Sequence, residues 1–381
     1  MNFTNARIYR YDFEFHDGSF TVADGRFASS ADGRFASSAA AGETIDLKGK
    51  QVVPGLVDIH FHGNSGHDFS DGQYEGLLTI ARYLAKNGIT SFSPASMTLP
   101  EGEISAAFAT AIQLRDTKPE KASVIRGITM EGPFFNAAKK GAQKADHLRA
   151  PDYDFFKRLN KQADGMVKIV CVAPELPGAL PFIEQASKEA TVAIAHTTAD
   201  YDQAVAGFKA GASHVTHLYN AMPPFAHRAP GVIGAAADQS EATVELITDG
   251  IHLHPSVVRA SFKLFGAGQV VLVSDSMMAC GMSDGKYNLG GQDVFVTGNT
   301  AKLADGTIAG SATNLLDCLR TAIKFGVQPE AAIRAATLNP ARVIGADGEI
   351  GSIEDGKIAD FIVFNDDWSV DAIYLAGKRL N

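Results

Sequence analysis

Six side chains of metal-ligating type, His60, His62, Glu131, His196, His217 and Asp275, each fall at or just past the end of an apolar run. The first two lie in Pro54-Gly55-Leu56-Val57-Asp58-Ile59-His60-Phe61-His62-Gly63. Side chains of a strand alternate between its faces, so His60 and His62 point one way and Ile59 and Phe61 the other. Two neutral imidazoles on one face can grip a zinc or iron ion. Alone, such a pair says little, and its meaning depends on the other ligands. His196, His217 and Glu131 supply two imidazole nitrogens and a carboxylate, a catalytic metal set that leaves one position open for water. His60, His62 and Asp275 offer a second set, and Glu131 could bridge the two. Asp275 also suits a general base that takes a proton from the attacking water and hands it to a leaving amine. A free aspartate is too weak a base for bulk water, but a bound metal ion lowers the pKa of water to about 7. His214 lies three residues before His217, a spacing that predicts the opposite strand face and a structural role.

These residues need a scaffold that brings distant segments to one place. Apolar, β-rich runs recur over 54–62, 88–95, 124–130, 167–172, 191–195, 214–218, 244–247 and 270–273. Helical patterns lie between them, among them 74–86, 103–114, 182–188, 201–210 and 257–265. Continuous apolar strands alternating with amphipathic helices predict a parallel sheet, and eight of them predict an α/β fold of the closed (β/α)8 TIM-type barrel kind. Such a barrel gathers its active site at the C-terminal ends of the strands. Glu131 closes the third run, His196 the fifth, His217 the sixth, Asp249 the seventh and Asp275 the eighth. Residues 283–308 read as hairpins, and helices are expected over 315–324 and 329–337. Short strand patterns at both ends (6–9, 19–22, 44–47, 361–364 and 372–375) predict a small β-sandwich domain from 1–53 plus 347–381, beside a catalytic barrel over 54–346. The perfect repeat of residues 24–31 in 32–39 is read as a tandem duplication in a surface loop, where insertions cost little.

Composition narrows the class. The 381 residues, 45% hydrophobic and 20% charged, suit a globular enzyme with a sizeable core. A net charge of -9 with no basic run argues against nucleic acid as a partner, so an anionic substrate must be caught by a few local cations. Cys171, Cys280 and Cys318 are scattered without a CxxC pair, which fits a reducing compartment. Met1-Asn2-Phe3-Thr4 opens no signal-peptide core, and no apolar run reaches the roughly 18 residues of a membrane span. A cytoplasmic protein without a membrane partner is expected.

Several segments resemble the amidohydrolase superfamily, and within it the deacetylases of amino-sugar 6-phosphates. They are Pro54-Gly55-Leu56-Val57-Asp58, Met130-Glu131-Gly132-Pro133-Phe134, Lys139-Lys140-Gly141 and His217-Leu218-Tyr219-Asn220-Ala221-Met222-Pro223. Asp249-Gly250-Ile251-His252, Val273-Ser274-Asp275 and Ala309-Gly310-Ser311 extend the likeness to the C-terminal part. The resemblance implies hydrolysis of the N-acetyl group of N-acetylglucosamine 6-phosphate, in amino-sugar catabolism or cell-wall recycling. The galactosamine epimer, a cyclic amide and an N-acyl amino acid are the alternatives. It implies Glu131 as the bridging carboxylate where many relatives use a modified lysine, and one or two divalent ions per subunit, zinc or iron. By similarity, Asn220, the backbone of Ala221, Arg228 and His252 would hold the phosphate, with Arg228 donated by a second subunit of a homodimer. Ala142 and Ile308-Ala309-Gly310 would line the sugar and acetyl pockets. Where the family often has a histidine after the position of Ala142, this chain has Gln143, with His147 nearby. A scaffold that has lost catalysis would lack ligands, and none of the six is missing.

Overall fold

The computed structural model describes residues 1–28 and 43–380. Eight strands run parallel in sequence order: β1 (Leu56–Asp58), β2 (Ile89–Phe92), β3 (Ile128–Phe134), β4 (Val167–Val172), β5 (Thr191–Ile194), β6 (His214–Val215), β7 (Thr243–Ile247) and β8 (Val270–Val273). Ladders join β1 to β2 and β3 through to β8, and the bridge between Ala95 and Thr129 joins β2 to β3. The ring closes where Asp275 N donates to His60 O at 2.9 Å and Ser274 Oγ donates to Asp58 Oδ2 at 2.6 Å. The runs are apolar throughout because both faces of each strand are covered. Outward residues such as Val170, Val192, Leu246 and Leu272 pack under the helices, while Ile169, Cys171, Ala193, Val271 and Val273 fill the interior.

Three runs are cut differently from the sequence expectation, and each cut serves the site. The first run divides at Gly55: Gln51–Pro54 pairs antiparallel with Phe361–Phe364 in another sheet, and only Leu56–Asp58 enters the barrel. In the third, Val124–Ile125 stays with β2, and the chain steps inward at Gly127, where a Cβ would stand 2.4 Å from Lys168 Cγ. The sixth ends at Val215 and turns, with His217 and Tyr219 in left-handed backbone at φ 28° and 78°.

Both chain ends contribute to a single eight-stranded sheet, running from Lys378–Arg379 through Phe361–Phe364, Gln51–Pro54 and Asn2–Tyr9 to Arg26–Ala28. It closes on an aromatic core in which Phe361 stacks on Tyr374 at 4.4 Å and meets Phe3 edge-on at 5.1 Å. Of the duplicated segment, Arg26–Ala28 belongs to this sheet after a turn at 24–25, and the remainder lies outside the described residues. The expected hairpins over 283–308 form an antiparallel three-stranded sheet from Gly285–Leu289, Gln292–Thr297 and Thr300–Leu303. Among the described residues, no helix is long and apolar enough to cross a membrane.

Candidate metal centre and substrate cavity

Glu131 sits within β3 and is 2% exposed. Its Oε1 lies 3.0 Å from His196 Nε2, 3.3 Å from His217 Nε2 and 3.5 Å from His60 Nε2. The two imidazole nitrogens of His196 and His217 face each other at 3.1 Å. Donors each about 2.0–2.2 Å from a tetrahedral zinc ion must stand roughly 3.3 Å apart, so these three atoms already have the separations of a metal ligand set. His62 Nε2 is 3.3 Å from Glu131 Oε2 and 3.4 Å from Asp275 Oδ1, and His60 Nε2 is 3.8 Å from the same Asp275 oxygen. His60, His62 and Asp275 form one candidate metal group, and His60 joins Glu131 and His217 in another.

The imidazoles are fixed from behind. His62 Nδ1 donates to Ala95 O at 3.2 Å and His196 Nδ1 to Lys139 O at 2.8 Å, which aims each Nε2 at Glu131. Phe135 stacks on the His196 ring at 4.3 Å. His60 Nε2 is buried with no hydrogen-bond partner, an orphan that a cation would satisfy. His196, His217 and Asp275 all have positive φ, at 44°, 28° and 46°. Non-glycine residues pay about 1–3 kcal/mol for such backbone, which persists when it aims side chains at a site.

Charge tells the same story. Burial opposes a positive His60, yet Glu245 and Glu131 raise it well above the ordinary histidine range. Burial likewise opposes charge on His62, and hydrogen bonds to Asp275 and Glu131 carry it up to about 10. Burial pushes the Glu131 and Asp275 carboxyls up, but His60 and the other imidazoles around Glu131 hold it well below the usual carboxylate range, and the hydrogen bond with His62 lowers Asp275. The cluster demands positive charge in its middle, and a divalent cation meets that demand with the donor types on hand.

A cavity of about 550 Å³ opens over these residues. The turn after β6 brings Asn220 and Ala221 to its wall, and the loop after β7 brings His252. Asp249 holds that loop: its Oδ1 accepts from the backbone of Ile251 and His252 at 2.9 Å, and His252 Nδ1 donates to Oδ2 at 2.7 Å. Burial lowers the His252 pKa, but this carboxylate outweighs it and raises the group above the ordinary value. Ala142, Ile308 and Gly310 also line the cavity.

Two expected residues do not reach it. Ala309 is fully buried the other way, in the apolar cluster of Met97 and Met277, because its N–H pairs with Ala301 O at 3.1 Å and turns the side chain inward. Arg228 is exposed in the loop after β6, outside the cavity of its own chain. His214 does not face away from His217, as parity predicts. The strand stops at Val215, and His214 Nε2 and the His217 backbone N–H both reach one carboxylate, Glu245, at 3.0 and 2.9 Å.

Glu245 is fully buried, and the sequence reading did not single it out. Its signal was present: a lone carboxylate inside Val244-Glu245-Leu246-Ile247 is too costly to bury unless it is paired. Gln143 also carries more than its neighbourhood suggested. Its Oε1 accepts from Thr98 N at 2.7 Å and its Nε2 donates to Glu131 Oε2 at 2.8 Å, so it steadies the Glu131 carboxylate. Lys139 and Lys140 add two cations to the cavity lining.

Comparison with known proteins shows the family. Residues 51–380 match the Amidohydrolase family. The N-acetylglucosamine-6-phosphate deacetylase of Bacillus subtilis (strain 168) is 38% identical over 323 residues, 84% of this chain and 82% of that protein. The N-acetylgalactosamine-6-phosphate deacetylase of Escherichia coli O157:H7 is 33% identical over 327 residues, 85% of this chain and 86% of that one. A solved mutant of the Mycobacterium smegmatis N-acetyl-D-glucosamine-6-phosphate deacetylase, in complex with N-acetyl-D-glucosamine-6-phosphate, superposes with a TM-score of 0.91 at 32% identity, covering 100% of this chain and 99% of that one. The chain belongs to the metal-dependent amidohydrolase family, among the deacetylases of amino-sugar 6-phosphates.

Proposed function

We propose that this chain hydrolyses N-acetylglucosamine 6-phosphate to glucosamine 6-phosphate and acetate. The observation that carries the reading is the meeting, in one cavity, of the Glu131, His196 and His217 donors with His252 and Asn220. The residues divide into units 1–53 with 347–381 and 54–346, the second holding every site residue. The buried, unpaired thiols of Cys171, Cys280 and Cys318 favour a reducing compartment, the cytoplasm.

Glu131, His196 and His217 would hold a divalent ion, zinc or iron, and His60, His62 and Asp275 a second. Such an ion, when bound, polarises the acetyl carbonyl and lowers the pKa of water to about 7. Asp275 lies ionised at the meeting of both sets and takes the proton of the attacking water. It then gives that proton to the amine nitrogen as the C–N bond breaks, so the amine is neutral when formed and acetic acid leaves, passing its own proton to solvent to become acetate. Gln143 and the Lys139 carbonyl keep Glu131 and His196 in place meanwhile. His252, Asn220 and the Ala221 backbone hold the phosphate and so fix the acetyl group against Asp275.

Arg228, exposed beyond its own cavity, would complete the phosphate grip in the partner subunit's cavity of a homodimer. Arg228→Ala is expected to raise KM for the phosphorylated sugar roughly 10–100-fold, the worth of a charged hydrogen bond of about 1.5–3 kcal/mol. The KM of unphosphorylated N-acetylglucosamine should stay put, and an equal change for both sugars would remove the assignment. Because Asp249 raises the His252 pKa, His252 is charged below that raised value and loses its charge as pH climbs through it. KM for the phosphorylated sugar should therefore rise with pH above the ordinary histidine range, and Asp249→Asn should bring that rise to lower pH. A profile unmoved by Asp249→Asn would detach His252 from the phosphate.

Acetate release measured on the 6-phosphates of N-acetylglucosamine and N-acetylgalactosamine, on the unphosphorylated sugars and on a cyclic amide tests the function. Highest kcat/KM on the glucosamine derivative is expected. Highest kcat/KM on the galactosamine epimer would support the reading that the Escherichia coli relative suggests, and preference for the cyclic amide would overturn both.

A further inference from the structure

We infer that Glu245 is the positioning residue of the second metal set: it fixes the His60 tautomer and ties His60 to the His217 backbone through one buried carboxylate. The inference rests on the reading of His60, His62 and Asp275 as ligands, and adds the group that acts on them from behind.

Glu245 lies in the middle of β7 with no solvent exposure, and each of its oxygens is used. Oε2 accepts from His60 Nδ1 at 2.8 Å and from the His217 backbone N–H at 2.9 Å. Oε1 accepts from His214 Nε2 at 3.0 Å, and His214 Nδ1 in turn meets Thr243 Oγ1 at 2.6 Å. A relay of Thr243, His214, Glu245 and His60 thus crosses the barrel from the edge of β7 to the metal centre. A buried carboxylate of this kind costs several kcal/mol unless its oxygens are filled by donors, and here they are.

Three consequences follow for the ion. Since Nδ1 of His60 spends its proton on Glu245, only Nε2 can ligate, and Nε2 is the atom left without a hydrogen-bond partner. A negative charge behind the imidazole makes that nitrogen a stronger donor, and it orients the ring. Finally, Oε2 holds one ligand of each set, since the His217 backbone sits at φ 28° with its N–H on Glu245. Glu245 does not touch substrate or the reacting atoms. It touches a ligand ring of the second set but only the backbone of a ligand of the first, so its influence falls mainly on how firmly the second ion is held.

Glu245→Gln tests this, because the amide keeps the shape and can still accept from His60 while the charge is gone. The metal-stripped wild type and variant are titrated with zinc against a competing chelator, and zinc per chain is counted. Wild type should show two stepwise dissociation constants. In Glu245→Gln the weaker-bound second zinc should bind about 10–100-fold less tightly, the range for an outer carboxylate partner, with the first changed less than about threefold. Equal affinities for both ions in variant and wild type would overturn the inference while leaving the two-ion reading intact. Equal weakening of both ions would overturn it too, as loss of general structure. A wild type that takes only one zinc would overturn the two-ion reading itself, and the inference with it. Should the variant not fold, the wild type decides: in zinc-loaded protein labelled with nitrogen-15 histidine, His60 should be protonated at Nδ1 and show a slowly exchanging downfield proton. A proton at His60 Nε2, or none protected at Nδ1, would overturn the inference.

Discussion

Asp275→Asn is expected to lower kcat for acetate release by about 1,000-fold, within the range that positioned acid–base groups contribute. The carboxylate sits at the end of β8 with a backbone φ of 46°, 3.4 Å from His62 and 3.8 Å from His60. Burial works against its charge, but the hydrogen bond with His62 and the imidazoles around it keep it ionised, so it is ready to accept a proton. Asparagine keeps the shape and cannot accept that proton. The loss corresponds to roughly 4 kcal/mol of transition-state stabilisation at about 1.4 kcal/mol per tenfold. Because Glu131, His196 and His217 do not include Asp275, the variant should still hold its first ion, read by metal analysis of the same preparation. KM should change little, since the residues proposed to hold the phosphate are untouched. A variant within about tenfold of wild type would remove Asp275 from the role of proton carrier.

Glu131→Gln should be at least as damaging, by a different route. One carboxylate approaches His60, His196 and His217 through Oε1 and His62 and Gln143 through Oε2. The amide keeps one oxygen but loses the charge that balances four imidazoles, and it presents an N–H₂ where a lone pair is needed. Loss of an outer partner costs about 10–100-fold in metal affinity, and loss of a carboxylate proposed as a direct ligand should exceed that. The purified variant is expected to carry little metal and to show no measurable acetate release, while wild type prepared alongside carries it. Folding should survive, because the barrel core in β4, β5 and β8 does not depend on this group. A Glu131→Gln protein with full metal content would sink the bridging assignment.

Much of this arrangement was legible because periodicity and chemistry agree in a parallel barrel. Apolar runs mark strands buried on both faces, and the residue that closes a run is where catalytic groups collect. Alternation put His60 and His62 together, and they do meet Glu131 and Asp275 together, but as residues past Asp58, where β1 ends, and with Ile59 and Phe61 in separate apolar clusters. It failed for His214 because parity applies only while the strand continues, and the chain leaves extended backbone after Val215. No periodicity announces a left-handed histidine, since the conformation is imposed by packing around it. Ala309 was misplaced for a related reason: neighbours in sequence at a loop can face opposite ways, and only its partner Ala301 decides which. Glu245 could have been found by asking what pays for a carboxylate inside a buried strand. Gln143 could not, because its partners Thr98 and Glu131 are brought to it by the fold. The exposure of Arg228 in the loop after β6 has no sequence signature at all.

The central claim, that these donors hold a divalent ion which deacetylation needs, is tested most directly by acetate release from N-acetylglucosamine 6-phosphate before and after metal removal. Purified protein should release acetate, lose nearly all of that activity when stripped by a chelator and dialysed, and regain it on addition of zinc or ferrous iron. Undiminished acetate release from protein shown by elemental analysis to be metal-free would contradict the claim, as would a fully loaded protein that releases none.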